Sequence, residues 1–250
     1  HHGRYRGLAS ATGSAGTIAS GDYMKKLFPD SKIVASEALQ CPTLLENGFG
    51  AHRIEGIGDK HVPWIHNTKN TDVITAIDDN AVANIARLFN EENGSAYLVE
   101  KGVPEAIVSQ LDLLGFSGIS NVLSCIKAAK YYEMDENDVM ITVLTDSMEL
   151  YRSRLHEMHQ EFGQYTEKDA AADFARYLHG QSTDNMLELR YPDRRRVHNL
   201  KYYTWVEQQG RTYAEIQDQW YQPNYWTDVQ KQADEIDELI VEFNKEVGIV

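Results

Sequence analysis

The chain has 250 residues, enough for one large domain or one domain with an extension. Hydrophobic residues make up 42% and charged residues 25%, an ordinary globular balance that can build a sizeable core. A formal net charge of −14 disfavours nonspecific nucleic-acid binding and anionic membrane surfaces, and no apolar run is long enough to span a bilayer.

In chain order, residues 8–12 read as a buried strand and residues 17–28 as a helix ended by Pro29-Asp30. Residues 32–36 form a second strand that closes at Glu37. A strand, a helix and a strand at this spacing form a βαβ unit, which predicts a parallel sheet. Residues 47–63, rich in Gly and His, read as a long ordered loop. Residues 72–77 are another strand, after which Asp78 or Asp79 caps a helix with Val82, Ile85, Ala86 and Phe89 at helical spacing.

A further helix starts at Pro104, with Ala106, Ile107, Leu111 and Leu114 near one face. Gly115-Phe116-Ser117-Gly118 is a turn. Residues 119–132 follow as a helix with Val122, Cys125, Ile126 and Ala129 inward. Residues 139–144 read as the clearest buried strand, ending at Thr145-Asp146-Ser147, with a helix from Met148. Open α/β sheets place ligand contacts at such strand ends.

Beyond about Leu155 no strong strand is predicted. Helices are expected over 167–178, 194–209 and 213–247, the last broken at Pro223. The expected organisation is a domain over 1–155, with a helical segment near 94–114, and an α-helical extension over 156–250. The aromatic residues of the extension, Tyr202 to Trp226, read as core or interface. Arg194-Arg195-Arg196 follows Asp193 and reads as a solvated or salt-bridged helix start rather than an RNA site.

Cys41 and Cys125 lie far apart without metal-ligand spacing, which fits structural thiols in a reducing, cytoplasmic compartment. No signal-peptide pattern is seen. His156-Glu157-Met158-His159 lacks the spacing of a zinc protease motif, so no metal site is predicted.

The stretch Thr12-Gly13-Ser14-Ala15-Gly16-Thr17 carries the chemistry. A strand runs into small residues and then into a helix. Small residues let the backbone approach a ligand, and the N–H groups of the loop and first helical turn form an anion site. Such a loop alone fits NAD, FAD, nucleotides or pyridoxal phosphate, and a purely structural tight turn equally well.

Its companions narrow the choice. Gly13-Ser14-Ala15-Gly16-Thr17-Ile18 resembles the Gly-Thr-Gly-Gly-Thr-Ile phosphate loop of the cysteine synthase and cystathionine β-synthase family, pyridoxal-phosphate enzymes of fold type II. Val34-Ala35-Ser36-Glu37 resembles the strand that follows there. His52-Arg53-Ile54-Glu55-Gly56-Ile57-Gly58 is close to that family's His-Lys-Ile-Glu-Gly-Ile-Gly segment, and Val62-Pro63 falls where it has Val-Pro. Asp72-Val73-Ile74 resembles the next strand. Leu144-Thr145-Asp146-Ser147, with Tyr151, is similar to its Leu-Pro-Asp-Ser-x-x-x-Tyr segment. The matches are colinear over roughly residues 8 to 155.

The resemblance implies an α/β fold with a three-layer, open, mostly parallel sheet, the large domain of fold type II enzymes. It implies pyridoxal 5'-phosphate as cofactor and an amino acid as small-molecule substrate, changed by β-elimination or β-replacement in a lyase or transferase. Gly13, Ser14, Ala15, Gly16 and Thr17 would hold the phosphate. Ser147 would meet the pyridine nitrogen as a neutral partner, Asp146 being the neighbour that a one-residue shift would put there. Gly56 would border the substrate side. A homodimer is expected.

One element of the family is not matched. Its Schiff-base lysine lies in a Ser-x-Lys-x-Arg-like segment upstream of the phosphate loop, and these 250 residues hold no such segment. Lys25 and Lys26 sit on the outer side of a helix, and Lys32 opens a strand. No catalytic residue is therefore assigned. The chain, which opens His1-His2-Gly3, reads as the C-terminal part of the enzyme and by itself as inactive. The missing part, or a partner chain, would supply the lysine.

Two other readings stand beside this one. In an NAD(P)-dependent oxidoreductase, Gly13, Gly16 and Glu37 would serve a dinucleotide, although positions 17 and 19 are Thr and Ala where glycines are wanted. The other reading is a noncatalytic subunit of the same fold.

Overall fold

A computed structural model describes residues 3–58 and 60–249. Among the described residues, one sheet is formed by β1 (Arg4–Ala11), β2 (Lys32–Ala38), β3 (Val73–Ile77), β4 (Asp138–Ile141) and β5 (Met186–Glu188), in the spatial order β4-β1-β2-β3-β5. The first four strands are parallel, and β5 runs antiparallel against β3. The helices are α1 (Gly16–Leu27), α2 (Thr43–Glu46), α3 (Asp79–Asn90), α4 (Glu92–Glu100), α5 (Glu105–Val108), α6 (Phe116–Tyr131), α7 (Arg152–Phe162), α8 (Glu167–Asp173), α9 (Tyr191–Asn199), α10 (Tyr213–Tyr221) and α11 (Tyr225–Glu246).

Side chains alternate across β2, and each face has its own core. Ile33 and Ala35 pack with Ile18 of α1, Ile74 of β3 and Val197 of α9. Val34 packs on the other side with Ala9, Val73 and Ala128 of α6. Helix, sheet and helix make the three layers of an open α/β fold. The α6 face also carries a line of buried hydroxyls. Thr75 donates to Ser124 at 2.9 Å, and Ser124 lies 2.7 Å from Ser36. Each polar group in this dry layer thus has a partner, which burial demands.

The expected strands and the helices flanking them are present within a few residues. Asp78 caps α3 by accepting from the Asn80 N–H. The segment near 94–114 is helical, built from α4, α5 and a short 3-10 turn at Leu111–Leu113. The strand expected over 139–144 is shorter and less buried than its composition implied. It ends at Ile141 as the outermost strand of the sheet, so Ile141, Val143 and Leu144 are exposed.

Two compact units divide the chain, one through Leu200 and the other from Lys201. The first unit thus runs past the expected boundary at 155. Residues 186–188 return as β5, and Leu189 and Val197 join the α1-side core. A three-residue strand is too short to show a period, which is why composition does not reveal it. In the second unit, the Lys201 ammonium donates to Gln219 at 2.6 Å and lies 5.4 Å from the Trp226 ring centre. Burial holds that ammonium's pKa well below its usual range.

Asp72 ties three elements together. Its carboxylate accepts from the Ile33 N–H at 2.8 Å and pairs with Lys25 at 2.6 Å and Arg194 at 3.0 Å. The run Arg194-Arg195-Arg196 is therefore not simply a solvated face, since Arg196 also donates to the carbonyls of Leu44 and Leu45. Replacing Asp72 with Ala leaves two half-buried cations and an N–H without their acceptor. We expect Asp72→Ala to lose about 3 kcal/mol, read as a lowered urea midpoint at unchanged slope.

Candidate functional site

Strand β1 has a parallel neighbour on each side. Through α1 the chain reaches β2 on one side, and later, through α6, it reaches β4 on the other. The C-terminal end of β1 therefore opens between two connections that depart to opposite sides. Such a switch point is where open α/β sheets bind ligands. The glycine loop leaves β1 here, and residues 142–147 leave β4 beside it.

The loop is built for an anion. Ala15 adopts the left-handed conformation at φ 65° and precedes α1 without any side-chain cap, and no acidic residue occupies the first turn. The first N–H groups of a helix have no partner within it. Around Gly16 a Cβ would meet only the Ser14 hydroxyl, at 3.6 Å, so the space beside it is open. Ser14 is exposed, and its hydroxyl lies 3.5 Å from the Gly16 nitrogen. Thr17 is partly committed, its hydroxyl lying 2.6 Å from that of Ser10.

The loop over 54–58 bridges the two strand ends. A Cβ on Gly58 would sit 2.7 Å from the Gly13 Cα, so the two backbones touch where no side chain fits. Gly56, at φ 79°, lies against the Asp146 carboxylate and the Ser117 hydroxyl. Behind them, the buried Asn121 of α6 accepts from the Ala11 N–H at 2.9 Å and reaches the Val143 carbonyl at 3.5 Å. One carboxamide thus holds the end of β1 to the segment beyond β4.

Asp146 and Ser147 differ in how free they are. Asp146 accepts from the Tyr151 hydroxyl and, at 3.4 Å, from Ser117, while its carbonyl accepts from the Gly115 N–H. Burial first, and then the bond to Asp146, push the Tyr151 pKa up to about 12, so this hydroxyl remains a donor at neutral pH. Ser147 is half-buried, and its side chain makes no capping bond to the turn that follows.

Of the predicted residues, Gly13 to Thr17 form one loop, and Gly56 bridges toward Asp146, the neighbour of Ser147. Ser117, Asn121 and Asp146 complete the arrangement. The sequence places Ser117 in a turn, whereas it lies in the first turn of α6, and it passes over Asn121 because nothing in a helix pattern marks which polar residue faces a strand end. Lys25 and Lys32 lie toward the opposite edge, one paired with Asp72 ahead of β3 and the other opening β2. Beside the 52–55 stretch, a cleft of about 280 Å³ is lined by His52, Arg53, Glu55, Phe116, Arg154 and Met158. Helix α7 borders it through the Arg154–Glu55 ion pair at 2.5 Å.

Glu37 is the acidic residue that a dinucleotide reading needs for a ribose. It is 4% exposed, and its two oxygens accept from the N–H groups of Leu44 and Leu45 at 2.8 and 2.9 Å. This carboxylate caps α2 and is not offered to a ligand.

The fold and the strand-edge cradle define an open, doubly wound α/β protein. No family model matches the chain. It is 26% identical over 145 residues to a cysteine synthase of Staphylococcus aureus, covering 58% of this chain and 41% of that protein. It is 29% identical over 143 residues to cysteine synthase B of Campylobacter jejuni, covering 56% and 40%. Among solved structures, O-acetyl serine sulfhydrylase isoform 3 of Entamoeba histolytica superposes with a TM-score of 0.51 at 24% identity, over 68% of this chain and 45% of that one. In sequence the chain is similar to cysteine synthases and in fold to a fold type II enzyme, and it spans less than half the length of the curated relatives it matches.

Glu37 makes stability depend on pH. Burial raises its pKa from 4.5 to about 7, against the opposing pull of the Leu44 and Leu45 N–H groups. The native state then holds a proton that the unfolded chain has released. The contribution is full below about pH 4.5 and is lost as pH rises through 7. We expect the Glu37→Gln variant to flatten the pH dependence of urea unfolding between about pH 5 and pH 8, removing a change of about 3 kcal/mol.

Proposed function

We propose that this region holds the phosphate and the ring nitrogen of pyridoxal 5'-phosphate, in an enzyme that carries out β-elimination or β-replacement on an amino acid. The observation that carries the reading is the meeting of the uncapped glycine loop with the end of β4 at the switch point, through the Gly13–Gly58 and Gly56–Asp146 contacts. The residues fit the group. A phosphate needs several N–H donors and no nearby carboxylate, and the loop over 13–17 has both properties.

When bound, the cofactor supplies an electron sink for the substrate's α-carbon. The protein's part is positioning. The N–H groups of Gly13 to Thr17, with the hydroxyl of Ser14, hold the phosphate, and the α1 dipole favours its charge. Ser147 offers the ring nitrogen a neutral hydroxyl. Tyr151 and Ser117 keep the Asp146 carboxylate bound to the protein, so no strong acceptor reaches that nitrogen. The cleft beside Gly56 is where an amino-acid substrate would lie, with Arg53 and Arg154 at its wall.

The lysine that this chemistry uses would come from sequence outside these 250 residues or from a partner chain, in a reducing, cytoplasmic setting. The committed state of Glu37 disfavours the dinucleotide reading.

Equilibrium dialysis of this chain against pyridoxal 5'-phosphate, pyridoxal and NAD tests the reading. We expect the phosphate ester to bind, inorganic phosphate to compete with it, and pyridoxal to bind at least tenfold more weakly. Gly16→Asp puts a carboxylate where the phosphate would sit, at a helix start that tolerates acid, and should weaken binding at least tenfold, about 1.4 kcal/mol. Equal binding of pyridoxal and its phosphate ester, or tighter binding of NAD, would overturn it.

A further inference from the structure

Helix α11 is the longest in the chain and, among the described residues, has no buried side chain. Yet it is not polar all round. Val229, Ala233, Ile236, Ile240 and Phe243, with Val247 just past its end, follow one another at intervals of four, three, four, three and four. At 100° per residue these six lie within about 40° of a single line along the helix. Val229 is 40% exposed, Ile236 49%, Ile240 50%, Phe243 60% and Val247 50%. Spacings of four and three in alternation are the heptad pattern of a left-handed coiled coil.

The charges identify what covers the seam. The helix carries Asp228, Asp234, Glu235, Asp237, Glu238, Glu242 and Glu246 against Lys231 and Lys245. Two such helices would repel each other if the acids faced the contact. Of the seven, only Asp237 and Glu246 stand beside the seam. The other positions flanking it between them, Gln230, Gln232, Leu239 and Asn244, are neutral. The arrangement of charge thus permits close approach of an identical helix.

It also selects a direction. In a parallel pair, each residue flanking one side of the seam meets the one five places later on its neighbour. Gln232 then faces Asp237, and Leu239 faces Asn244, with no like charges opposed. An antiparallel pair centred on the same seam brings Asp237 against Asp237.

We propose that α11 docks in parallel and in register on α11 of a second copy of this chain, joining copies through a coiled coil formed by the second compact unit. Six apolar residues per helix, over about 28 Å of rise, give a contact approaching the 1,200 Å² or so at which specific interfaces begin.

Light scattering on gel-filtered 250-residue chain, at about 50 μM, is the test. We expect a mass of two chains, falling twofold to that of one chain in the Ile236→Asp/Ile240→Asp variant, with the far-UV spectrum retaining the signal of the α/β unit. An independent arm uses Ile240→Cys, which should form a disulfide between copies on mild oxidation, beyond any background from Cys41 and Cys125 in the parent chain. This arm does not depend on the double variant folding. A monomeric parent chain, an oligomer that survives the double substitution, or an oligomer in which Ile240→Cys fails to cross-link would overturn the proposal.

Discussion

The structure turns on β1 having a parallel neighbour on each side. Because β2 pairs with one edge of β1 and β4 with the other, the chain segments that leave their C-terminal ends depart in opposite directions. A gap opens between them that no side chain of the sheet can fill. Asn121 spans the underside of this gap, and the loop over 54–58 crosses its top. The close approach of Gly13 and Gly58 follows from this geometry, since two backbones cross there and Gly58 has no room for a Cβ. The glycine loop is thereby presented at the strand ends, and the first turn of α1 that follows it has no side-chain cap.

Electrostatics separates what the site offers from what it hides. The chain is strongly acidic, but its carboxylates near the strand ends are occupied. Glu37 is taken by the first turn of α2, and Asp146 by Tyr151 and Ser117. What faces the gap is a set of neutral donors. An anion is accepted there at little cost in repulsion, while a cation finds no carboxylate in the first turn of α1. A similar arrangement appears on α11, where five of the seven acids lie away from the apolar seam. In both places net charge is a poor guide, because the short-range interaction depends on the few groups at the contact.

Much of the fold was readable before the structure. The short apolar runs and the strand–helix–strand spacing marked β1, α1, β2 and β3, and the caps and glycines marked their ends. The site loops at 13–17 and 56–58 were readable because small residues in sequence carry a local meaning. The exposure of β4 was not readable, since a run such as Val139 to Leu144 looks the same in a central strand and at an edge. Nor was β5, whose three residues earn a place only by pairing with β3. Ser117 and Asn121 look like any polar residues of a helix until the strand ends they face are known.

The sequence by itself determined the local elements, the glycine loop and the apolar seam of α11, because each depends on residues a few places apart. Only the tertiary structure decided that the loop over 54–58 lies on the glycine loop, that Asp146 is committed while Ser147 is not, and that the first unit runs to Leu200. Those outcomes depend on contacts between residues tens to more than a hundred places apart. Such contacts are settled by which surfaces can be buried together, and no local pattern records them.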